Sequence, residues 1–229
     1  MISILLNYYM KTIELFAGSG SFSRHIQSRG WNTYQIDNQQ FEGTDWVTDL
    51  ASIQPEEIQE RIGGTPDVLW ASPPCRWFSL NTAHQYWNPD LQPKKTEIDD
   101  WFLPDSEPPA MQGIRLVQHT QRIIEALQPR YWFVENPVGM LRKLPYMQWA
   151  PVRQTIDYCQ YGDTRKKPTD IWSNLEWPAR RRCRPNICDH ERTDGNRGGT
   201  RGLANSYERA KIPEGLFWEI ANWIEGREG

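Results

Sequence analysis

Two adjacent prolines, Pro73 and Pro74, constrain the backbone of this chain more strongly than any other feature. The residues before them, 67–71, form a short apolar run bounded by Pro66, which predicts a buried β-strand. Each proline fixes its own φ near about −65° and removes a backbone donor, so the chain leaves the strand in a stiff, extended form. This geometry presents Cys75 just beyond the strand end, where ligands of open α/β sheets bind. Cys75 is therefore a candidate nucleophile, and the alternative is a small buried thiol near a turn.

A glycine-rich turn lies earlier in the chain. Residues 12–16 predict a strand and residues 22–29 predict a helix, and glycines between them allow a ligand to approach the backbone. A dinucleotide-binding turn has a third glycine where this chain has Ser23, so a pyrophosphate site is not favoured. S-adenosylmethionine has no phosphate and suits the turn better, and the alternative is an ordinary tight turn. The candidate cofactor-binding residues are Phe16, Ala17, Gly18, Ser19 and Gly20.

An acidic residue follows the next predicted strand, residues 31–36. This residue, Asp37, lies close to the ~20-residue spacing at which such folds place a carboxylate that binds ribose. We therefore expect Asp37 to contact the ribose of a cofactor. A solvated loop aspartate is the alternative.

The remaining patterns indicate further helices and strands. Residues 55–62 and 113–127 have helical signals, and the run at 131–134 predicts a buried strand that ends at Glu135. Burying a carboxyl group is costly unless the group is paired, so a carboxyl at the end of a buried strand indicates a function for Glu135. Residues 137–144 are expected to begin a further helix, and residues 213–224 to form the last one.

A basic hairpin is predicted after these elements. Residues 155–161 and 169–172 have strand character, and the loop between them carries Arg165, Lys166 and Lys167. Residues 165–201 contain ten Lys and Arg against five Asp and Glu, although the whole chain has a formal net charge of −3. This region is the candidate surface for phosphate groups, and a solvated basic turn is the alternative.

Two cysteines and a histidine cluster in a polar segment that lacks apolar periodicity. They are Cys183, Cys188 and His190, and Cys159 from the preceding strand is a candidate fourth ligand. Soft ligands in a segment without its own core are typical of a tetrahedral structural zinc site. The alternative is a set of unpaired thiols and a surface histidine. Four unevenly spaced cysteines do not form a secreted disulfide framework.

Taken in order, these motifs resemble those of the cytosine-C5 DNA methyltransferase family. The resemblance covers residues 12–174, with a weaker match near the C-terminus. The chain resembles in particular the compact members encoded by bacteriophages, because it has only about 30 residues where a target-recognition domain of many tens of residues is usual. The motifs that carry it are ELFAGSG at 14–20, PPC at 73–75 followed by Phe-Ser, VENP at 134–137, and YG at 161–162 with the basic run after it.

The resemblance implies a Rossmann-like S-adenosylmethionine-dependent methyltransferase fold of the α/β class. It also implies a small C-terminal recognition segment that a bound zinc ion would stabilise. It implies a catalytic domain at 1–174, a basic recognition and zinc segment at 175–203, and a C-terminal segment at 204–229 whose helix returns to the catalytic domain.

The resemblance also implies residue roles. Cys75 would attack C6 of a flipped cytosine, Glu135 would hold N3 and the exocyclic amine, and Arg165 or Lys167 would bind O2. The basic run departs from the family's pattern, which leaves open which of the two does so. Further cofactor contacts implied by the motifs are Asp49, Pro73 and Asn205.

The expected partner is double-stranded DNA. Methylation of RNA cytosines by the same fold is an alternative, and a catalytically silent DNA-binding protein is another, although the presence of Cys75 and Glu135 argues against it. No run approaches the ~18 apolar residues of a membrane-spanning helix, and residues 1–9 do not form a convincing signal peptide. We expect a monomer that works in the cytoplasm, which is the host's if a phage encodes the chain.

Overall fold

A seven-stranded mixed sheet forms the centre of the protein. The computed structural model describes residues 10–94, 107–184, 188 and 206–228. The strands lie in the order β3-β2-β1-β4-β5-β7-β6; β1 to β5 are parallel, whereas β7 is antiparallel to both of its neighbours. Their bounds are β1 (Lys11–Leu15), β2 (Asn32–Asp37), β3 (Trp46–Val47), β4 (Val68–Ala71), β5 (Tyr131–Pro137), β6 (Val152–Asp157) and β7 (Pro168–Ser173).

Helices cover both faces of the sheet, as expected for parallel strands that are apolar on both sides. The first and last helices share one core with the sheet, through residues such as Phe22 and Phe217, and two central helices share the other, through Ile58 and Val117. In the described part of the chain, the helices are α1 (Ser21–Gln27), α2 (Pro55–Ile62), α3 (Ala83–Tyr86), α4 (Pro109–Leu127), α5 (Ser206–Ala210) and α6 (Glu214–Glu228). The predicted α/β class is confirmed. None of these helices combines the length and the apolar character needed to cross a bilayer.

The order of the strands reverses between β1 and β4. From β1 the chain moves outward through β2 and β3, and it then returns to the other side of β1 and continues through β4 to β5. Ligands of open α/β sheets bind outside the carboxyl ends of the strands at such a reversal. The glycine turn follows β1 and the proline pair follows β4, so both of these motifs lie at this position.

Several predicted elements have different bounds in the structure. Helix α2 has the predicted bounds, but the strand predicted to end at 134 continues through Glu135 to Pro137 because β7 pairs with that extension. The helix expected from 137 is replaced by two short 3-10 helices, Leu141–Lys143 and Pro145–Met147, since Pro145 cannot continue a helix.

The strand predicted over 155–161 is wrong in its second half. Strand β6 ends at Asp157, and a 3-10 helix over Tyr158–Tyr161 follows, so Cys159 lies on that helix and outside the sheet. Gly162 closes the turn with a φ of 92°, a left-handed conformation that glycine adopts without steric cost. The predicted domain limits at 174 and 203 stay predictions, because most of the segment between them lies outside the described residues.

A buried carboxyl group caps helix α1 from the strand below it. Glu14 of β1 is only 3% exposed, and its carboxylate accepts hydrogen bonds from the backbone nitrogens of Phe22 at 3.3 Å and Ser23 at 2.9 Å. Burial raises the pKa of Glu14 from 4.5 to about 7, even though both hydrogen bonds lower it. The start of α1, where a Rossmann fold would bind phosphate, is therefore already filled by a protein carboxyl group.

We predict that Glu14 makes the protein less stable as the pH rises from about 4.5 to 7. Over this window the folded state holds a proton that the unfolded state has lost, and the shift corresponds to a loss of unfolding free energy on the order of 3 kcal/mol. Urea unfolding between pH 4.5 and 7.5 should show this slope in wild type and a flatter profile in Glu14→Gln. The control is Glu57→Gln, which alters a solvated carboxyl that accepts a hydrogen bond at the start of α2. Equal slopes in wild type and Glu14→Gln would contradict the assignment.

Candidate active site

A cleft of about 270 Å³ lies at the carboxyl ends of β1, β2 and β4. Its position is the one that the strand reversal predicts for a ligand. Four of the predicted cofactor residues line it: Phe16, Gly18, Asp37 and Asp49. Its other lining residues are Asn38, Gln39, Phe41, Leu50, Ser72, Pro74 and Leu116.

The turn after β1 folds back on Asp37. Phe16, Gly18 and Gly20 all have positive φ values, of 59°, 50° and 61°. The backbone nitrogen of Gly18 donates to Oδ2 of Asp37 at 2.9 Å, and that of Gln39 donates to Oδ1 at 3.0 Å. Asp37 therefore fixes the turn, and each of its oxygens keeps acceptor capacity for a ligand in the cleft.

The other predicted cofactor residues occupy different places. Ala17, Ser19 and Gly20 belong to the turn but do not line the cleft, and Pro73 lies buried behind its neighbour Pro74. Asn205 lies outside the described residues. Sequence patterns gave no signal for Phe41 or Leu116, because only the folded topology brings a loop after β2 and the middle of α4 to the same cleft.

Two hydrogen bonds hold the loop that carries Cys75 against the end of β5. The side-chain nitrogen of Asn136 donates to the carbonyl oxygen of Pro73 at 2.8 Å. The backbone nitrogen of Met140 donates to the carbonyl oxygen of Phe78 at 2.7 Å. Gly139 allows this close approach, because a Cβ atom there would lie 2.1 Å from the carbonyl oxygen of Phe78. Cys75 opens a 3-10 helix, Cys75–Trp77, and is exposed, as expected for a nucleophile.

The surroundings of Cys75 do not favour the thiolate on their own. Although the residue is exposed overall, desolvation by the protein atoms around the thiol raises its pKa above the ordinary value. The charge of Lys167 opposes this rise, whereas that of Glu135 adds to it. Activation of the thiol is therefore expected to depend on the substrate and on the cations around it.

Glu135 lies in β5 beside the loop of Cys75 and is only 5% exposed. Its Oε1 atom accepts a hydrogen bond of 2.8 Å from the hydroxyl of Tyr158. Burial raises the pKa of Glu135 above its ordinary value, although Lys167 and the Tyr158 hydrogen bond both lower it. A raised pKa extends the pH range over which the carboxyl group holds a proton and can donate a hydrogen bond, which is the role that the family resemblance implies.

The two predicted basic residues of the hairpin have different surroundings. The guanidinium of Arg165 pairs with Asp163 and donates to the carbonyl oxygens of Glu208 at 3.2 Å and Lys211 at 3.1 Å. Lys167 instead places its Nζ 4.6 Å from the centre of the Tyr158 ring, and its charge acts on both Cys75 and Glu135. The structure therefore brings Lys167 to the candidate active site, whereas Arg165 fastens the hairpin to the C-terminal segment.

Three of the four predicted metal ligands come together. The Sγ atoms of Cys159, Cys183 and Cys188 all lie within 4.8 Å of one another, and His190 lies outside the described residues. Tetrahedral zinc with bonds of about 2.3 Å holds its sulfur ligands roughly 3.8 Å apart, so a small inward movement would close the site around an ion. Burial, followed by hydrogen bonds with the thiols of Cys188 and Cys183, raises the pKa of Cys159 to about 12.

A buried aspartate beside the cysteines supports this arrangement. Asp157 is 1% exposed and accepts hydrogen bonds from the backbone nitrogen of Cys183 at 2.9 Å and from Nε of Arg182 at 2.6 Å. These contacts tie the start of the basic segment to the end of β6. Sequence reasoning missed this residue, since an aspartate at the end of a strand has no pattern of its own.

Comparisons with known proteins agree with this geometry. No family model matches the chain. The chain is 28% identical over 175 residues to the "Probable DNA (cytosine-5)-methyltransferase" of Frog virus 3 (isolate Goorha), an alignment that covers 73% of this chain and 72% of the relative. The resemblance to cytosine-C5 DNA methyltransferases is thereby confirmed.

A solved structure supports the fold independently. The crystal structure of a "putative DNA modification methyltransferase encoded within prophage" from E. coli superposes with a TM-score of 0.51 and 15% identity. The match covers 72% of this chain and 46% of that protein, so the chain spans about half the length of this solved structure. The chain therefore shares the mixed α/β fold of that protein. The viral source of the relative is consistent with the compact bacteriophage type that the resemblance implies.

Proposed function

We propose that this protein is a DNA (cytosine-5-)-methyltransferase that transfers a methyl group from S-adenosylmethionine to C5 of a flipped cytosine. The observation that carries the proposal is the placement of Cys75 and Glu135. Ala71 at the end of β4 pairs with Val134 of β5. Glu135 is the next residue of β5, and Cys75 lies in the loop that follows β4. Pro74, which precedes Cys75, also lines the ligand cleft. A nucleophile, a buried carboxyl group and a ligand cleft thus meet at one edge of the sheet.

In the proposed reaction, the Cys75 thiolate adds to C6 of the cytosine and makes C5 nucleophilic, which is covalent catalysis. The protonated Glu135 donates a hydrogen bond to N3 and so stabilises the charge that develops on the ring. The Lys167 ammonium, and not the Arg165 guanidinium that pairs with Asp163, binds O2. Once C5 carries the transferred methyl group, release of the C5 proton to water and expulsion of the Cys75 thiolate restore the aromatic ring. C6 is shielded within a stacked duplex, so the base must leave the helix first.

S-adenosylmethionine fits the cleft on three grounds. Asp37 offers carboxylate oxygens to a ribose, Phe16 and Leu50 offer apolar surface to an adenine, and Glu14 occupies the helix start where a phosphate would bind. When bound, this cofactor supplies the electrophilic methyl group. Asp49 and Pro74 line the same cleft and would complete the contacts.

We also propose a structural zinc ion on Cys159, Cys183 and Cys188, with His190 as the fourth ligand. The three thiols already lie within 4.8 Å of one another, and Asp157 fixes the backbone of Cys183 beside them. The ion would join the basic segment to the 3-10 helix after β6 and thereby stabilise the surface that we propose for DNA. The proposed partner is double-stranded DNA, bound by a monomer in the host cytoplasm.

The first prediction from this proposal is that the side chain of Asp37 holds S-adenosylmethionine. Asp37→Asn should raise the Kd by about tenfold or more, since hydrogen bonds to a charged group contribute about 1.5–3 kcal/mol. Asp45→Asn is the matched control, because Asp45 also accepts a backbone hydrogen bond, from Gln35, but does not line the cleft. Isothermal titration calorimetry measures both. Similar Kd values for the two variants would contradict the assigned role.

The second prediction is a covalent adduct at Cys75. DNA that carries 5-fluorocytosine at the target should trap wild-type enzyme in the presence of S-adenosylmethionine, because fluorine cannot leave as the C5 proton does. Cys75→Ser should lose trapping and turnover, since an alcohol is a far weaker nucleophile at neutral pH, but should retain affinity for S-adenosylmethionine. Glu135→Gln should bind DNA and lose at least about 10²-fold in rate. Denaturing electrophoresis detects the adduct.

Three outcomes of the trapping experiment would overturn the proposal. Equal trapping by Cys75→Ser would move the nucleophile to another residue. Trapping by fluorinated RNA but not by fluorinated DNA would favour the RNA methyltransferase alternative. Bound DNA without an adduct or product, for any sequence offered, would favour a silent DNA-binding protein.

The third prediction concerns the metal. Elemental analysis of purified protein should find about one zinc ion per chain, and Cys183→Ser should lose it. The melting temperature should fall on chelation, because binding of the ion contributes folding free energy. Cys75→Ser is the control that should keep zinc, since Cys75 lies outside the cluster. Zinc-free protein with an unchanged melting temperature would remove the metal from the proposal.

A further inference from the structure

Tyr158 contacts both side chains that we propose to hold the cytosine. It is the first residue of the 3-10 helix after β6 and is fully buried. Its hydroxyl donates to Oε1 of Glu135 at 2.8 Å, and its ring lies 4.6 Å from Nζ of Lys167. None of the motifs that carry the family resemblance includes Tyr158, and sequence reasoning gave it no role.

The ring of Tyr158 is held firmly in place. Its backbone nitrogen donates to the carbonyl oxygen of Lys166 at 2.9 Å, across the neck of the basic hairpin. The ring packs in the core formed by α6, with Ile156, Ile171 and Phe217 among its members. A side chain fixed in this way can impose an orientation on its partners.

The hydrogen bond distinguishes the two oxygens of Glu135. Tyr158 donates to Oε1, so this atom is already an acceptor, and among the described residues none donates to Oε2. A proton on a carboxyl group settles on the oxygen that is not already accepting a strong hydrogen bond. Oε2 is therefore the oxygen that would carry the acidic proton to N3 of the base.

The face of the same ring holds the cation. An ammonium group over an aromatic face is attracted by the negative potential of the ring. The Nζ of Lys167 also donates to the carbonyl oxygen of Arg209 at 3.2 Å, so the ring and one carbonyl group fix its position. Lys167 has a φ of 21°, which a non-glycine residue adopts only when its surroundings impose it.

We propose that Tyr158 is a positioning residue for the methyl-transfer site. Its hydroxyl directs the acidic proton of Glu135 to Oε2, and its ring holds the ammonium of Lys167, so that both groups meet one cytosine in a fixed arrangement. This proposal rests on the proposed function. It makes the turn between β6 and β7 part of the recognition of the base.

The test is a double-mutant cycle between Tyr158→Phe and Glu135→Gln, with kcat, KM for DNA and Kd for S-adenosylmethionine measured for each protein. Tyr158→Phe should lower kcat by about tenfold or more, which is part of the ~10²–10⁴-fold rate enhancement that a positioned general acid contributes. KM and Kd should stay within about twofold of wild type, since no ligand contact is removed. In the Glu135→Gln background, Tyr158→Phe should cause little further loss, because the proton that it directs is gone.

A matched control lies on the same 3-10 helix. The hydroxyl of Tyr161 accepts a hydrogen bond of 2.8 Å from the backbone nitrogen of Arg180, whereas the hydrogen bond to Glu135 comes from Tyr158. Tyr161→Phe therefore removes the same group from the same helix, and kcat should stay close to that of wild type. Replacement of Tyr158 by 4-aminophenylalanine keeps the ring and a donor at the para position, and it should restore kcat even if Tyr158→Phe folds poorly.

Distinct outcomes overturn the two proposals. If wild-type protein methylates cytosine but Tyr158→Phe has the same kcat, or if its loss multiplies with that of Glu135→Gln, Tyr158 does not act through Glu135. The same conclusion follows if 4-aminophenylalanine gives no rescue. If wild-type protein neither traps nor methylates any cytosine, the proposed function fails and Tyr158 loses its role with it.

Discussion

The parallel pairing of β4 with β5 determines the geometry of the whole site. Ala71 lies opposite Val134, so Glu135 is the next residue on one strand while the proline-stiffened loop to Cys75 leaves the other. A shift of one residue in this register would turn Glu135 toward the opposite face of the sheet. The buried aromatic contacts of Trp70 with Phe133 and Phe22 oppose such a shift, because the three rings are packed together beneath the site. The reactive groups are therefore positioned by the hydrophobic core.

The electrostatics of the site follow from this burial. Both Glu135 and Cys75 have raised pKa values, mainly through desolvation, which suits the proton-donating role that we propose for the carboxyl group but opposes the thiolate that we propose for Cys75. Lys167 lowers the pKa of both groups, so its position is a compromise between keeping the proton on Glu135 and releasing it from Cys75. A cation placed nearer to Glu135 would ionise the carboxyl group and remove its donor.

The sequence predicted the fold class, helix α2 and the places of Cys75, Glu135 and Asp37, because each of these depends on local signals such as a proline pair or an apolar run before a polar residue. It did not predict Glu14, Tyr158 or Asp157, whose importance comes from partners far away in the chain. Nor could the sequence distinguish the role of Lys167 from that of Arg165, since both residues lie in one basic turn. The difference between them depends on Asp163 and on the carbonyl groups near α5, which only the folded chain brings to Arg165.

The end of β6 and the turn after it carry three consecutive residues, each of which contacts a different part of the molecule. Asp157 holds Arg182 and Cys183, Tyr158 holds Glu135, and Cys159 lies with the other two thiols. Because these residues are adjacent, a displacement of the thiol cluster would move Tyr158 and, through its hydrogen bond, the carboxyl group of Glu135 in β5. A zinc ion in this cluster would then do more than fold a polar segment, since it would limit the movement of the helix that carries Tyr158. Few residues lie between β7 and α5. In such a chain, one short turn can stabilise both the proposed DNA surface and the proposed catalytic carboxyl group.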